Sequence, residues 1–311
     1  MAVSVIIPTY NRAHMIGECL ASVQAQTFRD FEVIVVDDGS TDNTREVVAW
    51  FETVRYVWQP HAERSAARNR GLALARGRYV AFLDDDDLWL PRKLERQVAC
   101  LEAHPEAVLV HSACFVQRLG HPVRVARPRP THGPRDVFWE LLAQEYNIYF
   151  PTHLVRREPL VAVGGFSTDR NLRVAEDYDL WLRLARQHKV AYLDEPLAVY
   201  RVHSGGTSLR YACRAYAHIL GRVGAQLKVS EVQRFVAAQA ALCLNAAHDR
   251  IMRGRRAEAL ELLFLGILRS GRRIMSGRYA ALLLCCLLPW SPALSLAATR
   301  WLAACPCWLR R

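Results

Sequence analysis

The chain has 311 residues, of which 51% are hydrophobic and 23% are charged, and its formal net charge is +11. This composition excludes global disorder, and the length allows one large domain or two modest ones. Residues 251–311 contain ten arginines and two glutamates around apolar sequence, a pattern that favours an anionic membrane surface over nucleic acid as the partner.

The first 206 residues alternate short apolar runs with amphipathic segments. We predict strands at 3–7, 31–36, 54–58 and 79–83, with helices between them over about 16–23, 43–51 and 65–75. Such alternation with short loops is typical of an α/β fold with helices on both faces of a parallel sheet. Ligands bind such sheets at the carboxyl ends of the strands. We therefore expect one crevice lined by Thr9, Tyr10, Asn11, Asp37, Asp38 and Asp84–Asp87.

The pattern continues less regularly towards residue 206. A helix with Leu94, Val98 and Leu101 on one face should be followed by a strand over 108–116. Residues 118–135 are rich in Pro, Arg, His and Gly and predict a mobile surface loop. The remaining expected elements are a helix over 136–144, a strand over 148–155, a turn at Gly164-Gly165, a helix from Glu176, and strands over 190–193 and 198–203.

Residues 207–311 predict an all-helical C-terminal extension. No charge occurs from Tyr279 to Thr299, and these 21 residues could cross a bilayer at ~1.5 Å per residue. Pro289 and Pro292 interrupt this run, however, and arginines flank it. We therefore favour an interfacial anchor over 279–307 rather than a bilayer-spanning helix, with a buried helical pair as the alternative.

The nine cysteines and the first residues bear on the compartment. The cysteines are scattered without the paired spacing of metal fingers, which indicates reduced thiols in a cytosolic protein. Residues 1–8 are too short an apolar run for a secretory signal and lack a basic start. We expect a cytoplasmic protein that is peripheral at the inner face of the cell membrane.

Four consecutive aspartates, Asp84–Asp87, follow the apolar run Tyr79–Leu83. Neighbouring carboxylates raise one another's pKa, and a cation among them relieves the repulsion. Alternation along a strand would place Asp84 and Asp86 on one face, where two carboxylates suit Mg²⁺ or Mn²⁺. The other interpretation is a solvated acidic turn in which Asp87 caps the next helix.

Five segments, in this order, resemble the motifs of the family 2 glycosyltransferases: 3–11 (VSVIIPTYN), 33–42 (VIVVDDGSTD), 67–71 (ARNRG), 82–87 (FLDDDD) and 176–177 (ED). The resemblance covers residues 1–206 and implies a GT-A domain, a nucleotide-sugar-binding and mainly parallel mixed sheet flanked by helices. It also implies a bacterial enzyme of cell-surface polysaccharide synthesis.

The resemblance implies a donor-binding set at the strand ends. Asp38 is similar to the carboxylate that accepts a hydrogen bond from the nucleobase, commonly uracil, and Arg68 is expected at the donor phosphates. A surface helix charge is the alternative for Arg68, because this helix carries several arginines. The full expected donor set is Pro8, Thr9, Asn11, Asp37, Asp38, Arg68, Asp84 and Asp85.

The metal and catalytic residues follow from the same resemblance. Asp84 and Asp86 match the first and third positions of the Asp-x-Asp motif, with Asp86 expected to bind Mg²⁺ or Mn²⁺ directly. His203 is a further candidate metal or diphosphate ligand, although a lone histidine is more often structural. Asp177 looks like the general base that deprotonates the acceptor hydroxyl, and attack opposite the leaving group would invert the anomeric centre.

Three residues are expected on the acceptor side: Glu176, Gly165 and Trp181. For Glu176 and Asp177 the alternative is an acidic first turn that stabilises the helix dipole. For Trp181 the alternative is packing in the core, and Gly165 is expected to allow a close backbone approach.

The sequence therefore predicts an inverting, metal-dependent glycosyltransferase. Its donor would be a nucleotide sugar, UDP-linked by preference, and its acceptor a glycan or lipid-linked hydroxyl. A catalytically silent nucleotide-sugar-binding or scaffolding protein is the second hypothesis. A dinucleotide oxidoreductase is disfavoured because the first strand ends in residues 8–11 (PTYN) without a glycine-rich phosphate turn.

Overall fold

The computed structural model describes residues 1–118, 120–128, 133–202, 209–231, 234–235, 238 and 247. Its strands are β1 Val3–Thr9, β2 Phe31–Asp37, β3 Val54–Trp58, β4 Tyr79–Phe82, β5 Leu88–Trp89, β6 Ala107–Arg118, β7 Arg124–Ala126, β8 Leu154–Arg156 and β9 Lys189–Val202. They form one sheet in the order β3-β2-β1-β4-β8-β6-β9-β5, and β7 pairs with β6.

The helices of the same residues are α1 Ile16–Gln24, α2 Thr44–Ala49, α3 Glu63–Leu74, α4 Lys93–Ala103, α5 Phe138–Leu142, α6 Arg157–Ala162, α7 Glu176–Ala185 and α8 Leu209–Gly224. Short 3₁₀ helices lie at Phe150–Thr152, Arg170–Leu172 and Val229–Glu231. The α/β class and the flanking helices expected from the sequence are confirmed.

The chain divides into two units, Met1–Phe138 with Tyr146–Ala225, and Trp139–Glu145 with Gln226–Arg311. The first unit contains the whole sheet and α8. The expected domain boundary at residue 206 stays a prediction. The expected anchor over 279–307 lies outside the residues that the structure describes, as does His203. None of the described helices combines the length and the apolar content needed to cross a membrane.

Strand β1 lies at the centre of the parallel half of the sheet. It pairs in parallel with β2 and with β4, and β3 extends the parallel set beyond β2. All seven residues of β1 are buried, because helices cover both faces of the sheet there. Alternation divides its side chains: Val5 and Ile7 join the core cluster that includes α1 and α4, and Ile6 lies under α3.

The other half of the sheet is mixed. β8 pairs antiparallel with β4 and β6, β6 pairs in parallel with β9, and β5 pairs antiparallel with β9. The mixed, mainly parallel sheet was expected. The elements β5 and α6 were not predicted, and three predicted elements differ from the structure, each for a local reason.

The differences concern strand boundaries. The stretch expected as a loop over 118–135 contains strand β7, which pairs with β6 from Cys114 to Val116. The strand expected over 148–155 begins only at Leu154, because Pro151 lacks an amide hydrogen and sits in a 3₁₀ helix. The two strands expected over 190–203 are one strand, β9, whose register against β6 shifts by a bulge near Pro196.

Close packing of α3 on β1 gives a stability prediction. A Cβ on Gly71 would lie 2.4 Å from Cγ2 of Ile6, a branched side chain with little freedom to move. Gly71→Ala should therefore lower the free energy of unfolding by about 1–3 kcal/mol, although alanine favours helix. Urea denaturation of the purified protein measures this change.

Gly221 is the matched control, since it lies in helix α8 and no heavy atom lies within 4 Å of an added Cβ among the described residues. Gly221→Ala should leave stability unchanged or raise it by up to ~1 kcal/mol. Equal effects of the two substitutions would contradict the packing argument.

Candidate active site

A cleft of about 580 Å³ opens at the carboxyl ends of β1, β2 and β4. Parallel strands end at the same edge of a sheet, so residues far apart in sequence meet there. Six of the residues expected to bind donor or metal line this cleft: Pro8, Thr9, Asp38, Asp84, Asp85 and Asp86.

The four aspartates form a turn rather than a strand end. β4 stops at Phe82, and the amide of Asp87 donates to the carbonyl of Asp84 at 3.1 Å. Asp84 and Asp86 are partly exposed, whereas Asp85 and Asp87 are only 7% and 1% exposed. The expected division into two pairs is therefore present, but strand alternation was the wrong reason for it.

The buried pair is held by hydrogen bonds. Thr9 Oγ1 donates to Asp85 Oδ2 at 2.7 Å, and the amide of Arg201 donates to Asp87 Oδ1 at 2.8 Å. Burial raises the pKa of Asp85 to about 7, with a contribution from the charges of Asp86 and Asp84. Burial also raises the pKa of Asp87 well above its usual value. These two carboxyl groups fix the shape of the turn.

Asp38 is the anchor of the loop that follows β3. Its carboxylate oxygens accept from Gln59 Nε2 at 2.7 Å and from the amides of Ala62 and Glu63 at 2.9 Å. His61 Nδ1 lies 2.9 Å from Asp38 Oδ2. The side chain is only 4% exposed. The hydrogen bond that Asp38 is expected to accept from a nucleobase stays a prediction.

Tyr10 and His61 form an aromatic pair at the same end of the cleft. Their ring centroids are 4.4 Å apart, both residues line the cleft, and Tyr10 is 45% exposed. His61 was not among the site residues expected from the sequence. Its position just after β3, at the carboxyl end of a parallel strand, was the signal that could have identified it.

Asn11 and Asp37 do not line the cleft but hold its loops in place. The amide of Thr41 donates to Asn11 Oδ1 at 2.8 Å, and Asn11 has a left-handed backbone with φ 54°. Asp37 accepts from the amide of Ser40 at 2.7 Å and from the Tyr56 hydroxyl at 2.6 Å. In this structure both side chains serve the strand-end loops rather than an open binding surface.

Arg68 lies beneath the cleft. Its side chain is 2% exposed, Nη2 donates to Asp84 Oδ1 at 2.6 Å, and Nη1 donates to Glu176 Oε1 at 2.9 Å. The guanidinium carbon lies 4.1 Å from the ring centroid of Phe150 and 5.1 Å from that of Phe166. The direct phosphate contact expected for Arg68 stays a prediction; in this structure the guanidinium is buried and paired with two carboxylates.

Helix α7 begins at Glu176 and carries Asp177 in its first turn. Glu176 is buried, and Arg64 Nε lies 3.6 Å from the same oxygen that binds Arg68. Asp177 is partly exposed. Burial, followed by the charge of Glu176, raises the pKa of Asp177 to about 6. Above that pH the group is a carboxylate that is more basic than an ordinary aspartate.

The structure gives Glu176, Gly165 and Trp181 structural surroundings instead of an acceptor surface. Trp181 is 2% exposed, and its rings pack 4.6 Å from the imidazole of His153, so its core interpretation fits and a sugar-binding face does not. Gly165 has φ 64° and is buried against α3, where a Cβ would lie 2.6 Å from Asn69 Oδ1. The close backbone approach expected at Gly165 is thus to Asn69.

Arg201, on β9, lines the cleft near the aspartate turn. Its Nε donates to the carbonyl of Asp86, and its Nη1 donates to Glu18 Oε2 at 2.5 Å. Its Nη2 is buried without a hydrogen-bond partner among the described residues. A buried donor of this kind is costly unless a ligand or water accepts from it.

Asp84 and Asp86 are the residues that could hold a metal ion. In the part of the chain that the structure describes, no group of three or more His, Cys, Asp or Glu side chains is placed to hold one alone. Mg²⁺ is commonly bound by one or two carboxylates together with substrate phosphates. Two partly exposed carboxylates at a cleft therefore fit a metal that shares its ligands with a bound diphosphate.

Comparison with known proteins places the chain among sugar transferases. Residues 4–164 match the family model described as glycosyl transferase family 2. An uncharacterized glycosyltransferase of Nostoc sp. is 33% identical over 68% of this chain and 68% of its own length. An Escherichia coli protein named UDP-Glc:alpha-D-GlcNAc-diphosphoundecaprenol beta-1,3-glucosyltransferase is 42% identical over 32% of this chain and 40% of its own.

Some longer curated relatives are matched over only about a third of their length. Among solved structures, the Pyrobaculum calidifontis mannosyltransferase in complex with GDP-Man and Mn²⁺ has a TM-score of 0.60 and 24% identity. The match covers 99% of this chain and 88% of the mannosyltransferase. At that identity the likeness establishes the fold.

The turn that supports Arg68 gives a second stability prediction. Asn69 Nδ2 donates to the carbonyl of Phe166 at 2.8 Å, and the amide of Phe166 donates to Asn69 Oδ1 at 2.9 Å. Asn69→Ala should lower the free energy of unfolding by about 1–3 kcal/mol, because it leaves both backbone groups unpaired.

Asn69→Asp is the control, since a carboxylate can still accept from the amide of Phe166 but cannot donate to its carbonyl. A carboxylate oxygen would also lie against the carbonyl oxygen of Phe166, so we expect a loss at least as large as that of Asn69→Ala, measured by urea denaturation of all three proteins. An alanine variant as stable as the wild type would contradict this role for Asn69.

Proposed function

The chain belongs to glycosyl transferase family 2 and has the GT-A fold, and from this we propose a specific reaction. The protein transfers a sugar from a UDP-linked donor to a hydroxyl of a lipid-linked glycan, with inversion, in cell-surface polysaccharide synthesis. The observation that carries the proposal is the cleft that joins Thr9, Asp38 and Asp84–Asp86 at one edge of the sheet.

The nucleobase end of the donor belongs, in this proposal, at Asp38 and the Tyr10–His61 pair. Exposed aromatic rings beside a carboxylate suit a planar base with hydrogen-bond donors. UDP is preferred because the Escherichia coli relative is named for a UDP-Glc donor. Pro8 and Thr9 would form the wall between the base and the diphosphate.

The diphosphate belongs between the aspartate turn and Arg201. Asp84 and Asp86 would hold Mg²⁺ or Mn²⁺, and a divalent cation there would stabilise the negative charge that develops on the leaving diphosphate. The Pyrobaculum neighbour, which shares the fold, is described as a complex with Mn²⁺. Arg201 Nη2, buried without a partner among the described residues, offers a donor to a phosphate oxygen.

Asp177 is proposed as the general base. An acceptor hydroxyl has a pKa far above 7, so its proton must leave during attack on the anomeric carbon. A carboxylate whose pKa is raised to about 6 by burial and by Glu176 is charged at neutral pH and more basic than usual. A base on the side opposite the leaving diphosphate would give inversion of configuration.

The acceptor and the location are proposed from the C-terminal sequence and from one relative. The Escherichia coli relative is named for a diphosphoundecaprenol acceptor, which is lipid-linked. Apolar residues flanked by arginines over 279–307 suit a peripheral position at the inner face of the cell membrane. Co-sedimentation of the full chain with anionic vesicles, but not after removal of residues 279–311, would support this location, and equal sedimentation would contradict it.

Asp177→Asn tests the base. The substitution keeps the size of the side chain but removes its basicity, so transfer should fall by about 10²–10⁴-fold. The affinity for UDP, measured by calorimetry, should stay within a few-fold of the wild type. Transfer is measured with a panel of nucleotide sugars and a lipid-linked acceptor.

Glu158→Gln is the matched control, because it removes an exposed carboxylate from the first turn of another helix, α6. It should transfer like the wild type. Full activity of Asp177→Asn would remove Asp177 from the mechanism. UDP binding without transfer by the wild type, with Mn²⁺ present, would instead support a silent binding protein.

Asp86→Ala tests the metal. The wild type should lose transfer in EDTA and regain it with Mn²⁺, whereas Asp86→Ala should be inactive in both conditions. Mn²⁺ should also tighten UDP binding by the wild type and have little effect on the variant, because the bridge between carboxylate and phosphate is lost. Wild-type transfer that is unaffected by EDTA would overturn the metal assignment.

A further inference from the structure

We propose that Arg68 is a positioning residue that fixes Asp84 of the aspartate turn relative to the first turn of α7, which carries Asp177. This inference rests on the proposed function, since it assigns the two connected groups to the donor side and to the base. It departs from the phosphate contact that the sequence suggested for Arg68.

The contacts of Arg68 form a clamp between two distant chain segments. Nη2 binds Asp84 at 2.6 Å and Nη1 binds Glu176 at 2.9 Å, so each arm of the planar guanidinium holds one carboxylate. Charge-assisted hydrogen bonds of this kind are short and directional. Asp84 and Glu176 therefore cannot shift independently without breaking one arm of the clamp.

Two aromatic rings and a low exposure keep the guanidinium in place. Phe150 and Phe166 lie 4.1 Å and 5.1 Å from its central carbon. Burial alone would lower the pKa of Arg68, but the charges of Asp84 and Glu176 outweigh that effect and raise it. The guanidinium therefore stays charged, and because water is excluded around it, removing either carboxylate partner would leave part of a buried charge without compensation.

The clamp constrains both Asp84, on the donor side, and Asp177, the proposed base. With Oδ1 of Asp84 bound to Arg68, the orientation of the partly exposed carboxylate toward the cleft is fixed. Glu176 precedes Asp177 directly, so holding Glu176 fixes the start of α7. The Arg68 charge also opposes the rise in the pKa of Asp177 that burial and Glu176 cause.

A direct role in donor binding is the competing explanation, and the two differ in kinetics. A residue that only binds the donor raises KM and leaves kcat unchanged, whereas one that orients reacting groups lowers kcat. Arg68 does not line the cleft, and both of its Nη atoms already bind carboxylates. The clamp therefore predicts an effect on kcat.

Arg68→Lys is the informative substitution, because it keeps the charge but loses the two-armed geometry. We expect kcat to fall by about 10²-fold, the loss typical of a displacement near 1 Å in a catalytic group. The donor KM, and the affinity for UDP measured by calorimetry without metal, should change less than ~3-fold by the same argument. Arg70→Lys, an exposed arginine on the same helix, is the control and should behave like the wild type.

A second variant and a double-mutant cycle separate the clamp from a general loss of packing. Glu176→Gln keeps the shape of the side chain but removes its charge, and it should also lower kcat with UDP affinity retained. Both substitutions act through the Arg68–Glu176 contact. The kcat of the double variant should therefore be only slightly lower than that of the less active single variant. Additive losses would overturn the proposal.

Hydrogen exchange gives a readout that does not depend on activity. In Arg68→Lys, the backbone amides of residues 176–179 and 84–87 should exchange faster than in the wild type, and in Arg70→Lys they should not. Unchanged amide hydrogen exchange in Arg68→Lys would contradict the positioning role of Arg68. A raised donor KM with normal kcat would contradict it as well. A wild type that transfers no sugar would instead refute the proposed function, and the exchange result would still decide the clamp.

Discussion

The parallel pairing of β1 with β2 and β4 is the constraint on which the site depends. Thr9 lies in register with Asp37 and Ile6 with Phe82, so all three strands deliver their next residues to the same edge of the sheet. Asp38 directly follows β2, and the aspartate turn begins two residues after β4 ends. Because the strands are buried on both faces, their register is fixed by core packing, and the positions of the polar residues at the edge follow from it.

Crowded negative charge is the second constraint on this edge. Four neighbouring aspartates cannot all remain charged at close range without compensation. The turn divides them into a partly exposed pair and a buried pair, and the buried pair has raised pKa values because of desolvation. Arg68 and Arg201 supply positive charge from below and beside the turn. The cation proposed for this site would join the partly exposed pair, Asp84 and Asp86.

Arg68 shows how the two constraints meet and why its contacts could not be read from the sequence alone. Several arginines occur along α3, and apart from the motif at 67–71 no local feature distinguishes Arg68 from Arg64 or Arg70. Its partners lie 16 and 108 positions away, at Asp84 and Glu176. Only the packing of α3 between the sheet and the turn at Gly165 brings these carboxylates together and excludes water from them. The motif indicates that Arg68 has a functional role, but the side chains that Arg68 contacts depend on how it is buried in the folded protein.

The sequence by itself determined the α/β class, the order of the elements from β1 to β4 and the cluster of polar residues at the strand ends, because hydrophobic periodicity and strand-end chemistry are local. It also carried the family, through motifs whose residue types suit phosphate and metal chemistry. The tertiary structure decided which of those residues face the cleft: Asp38 and Asp84–Asp86 do, whereas Asp37, Asn11 and Trp181 support loops or the core. It also added His61 to the cleft. Exposure and hydrogen-bond partners depend on contacts between distant segments, and no pattern along one segment records them.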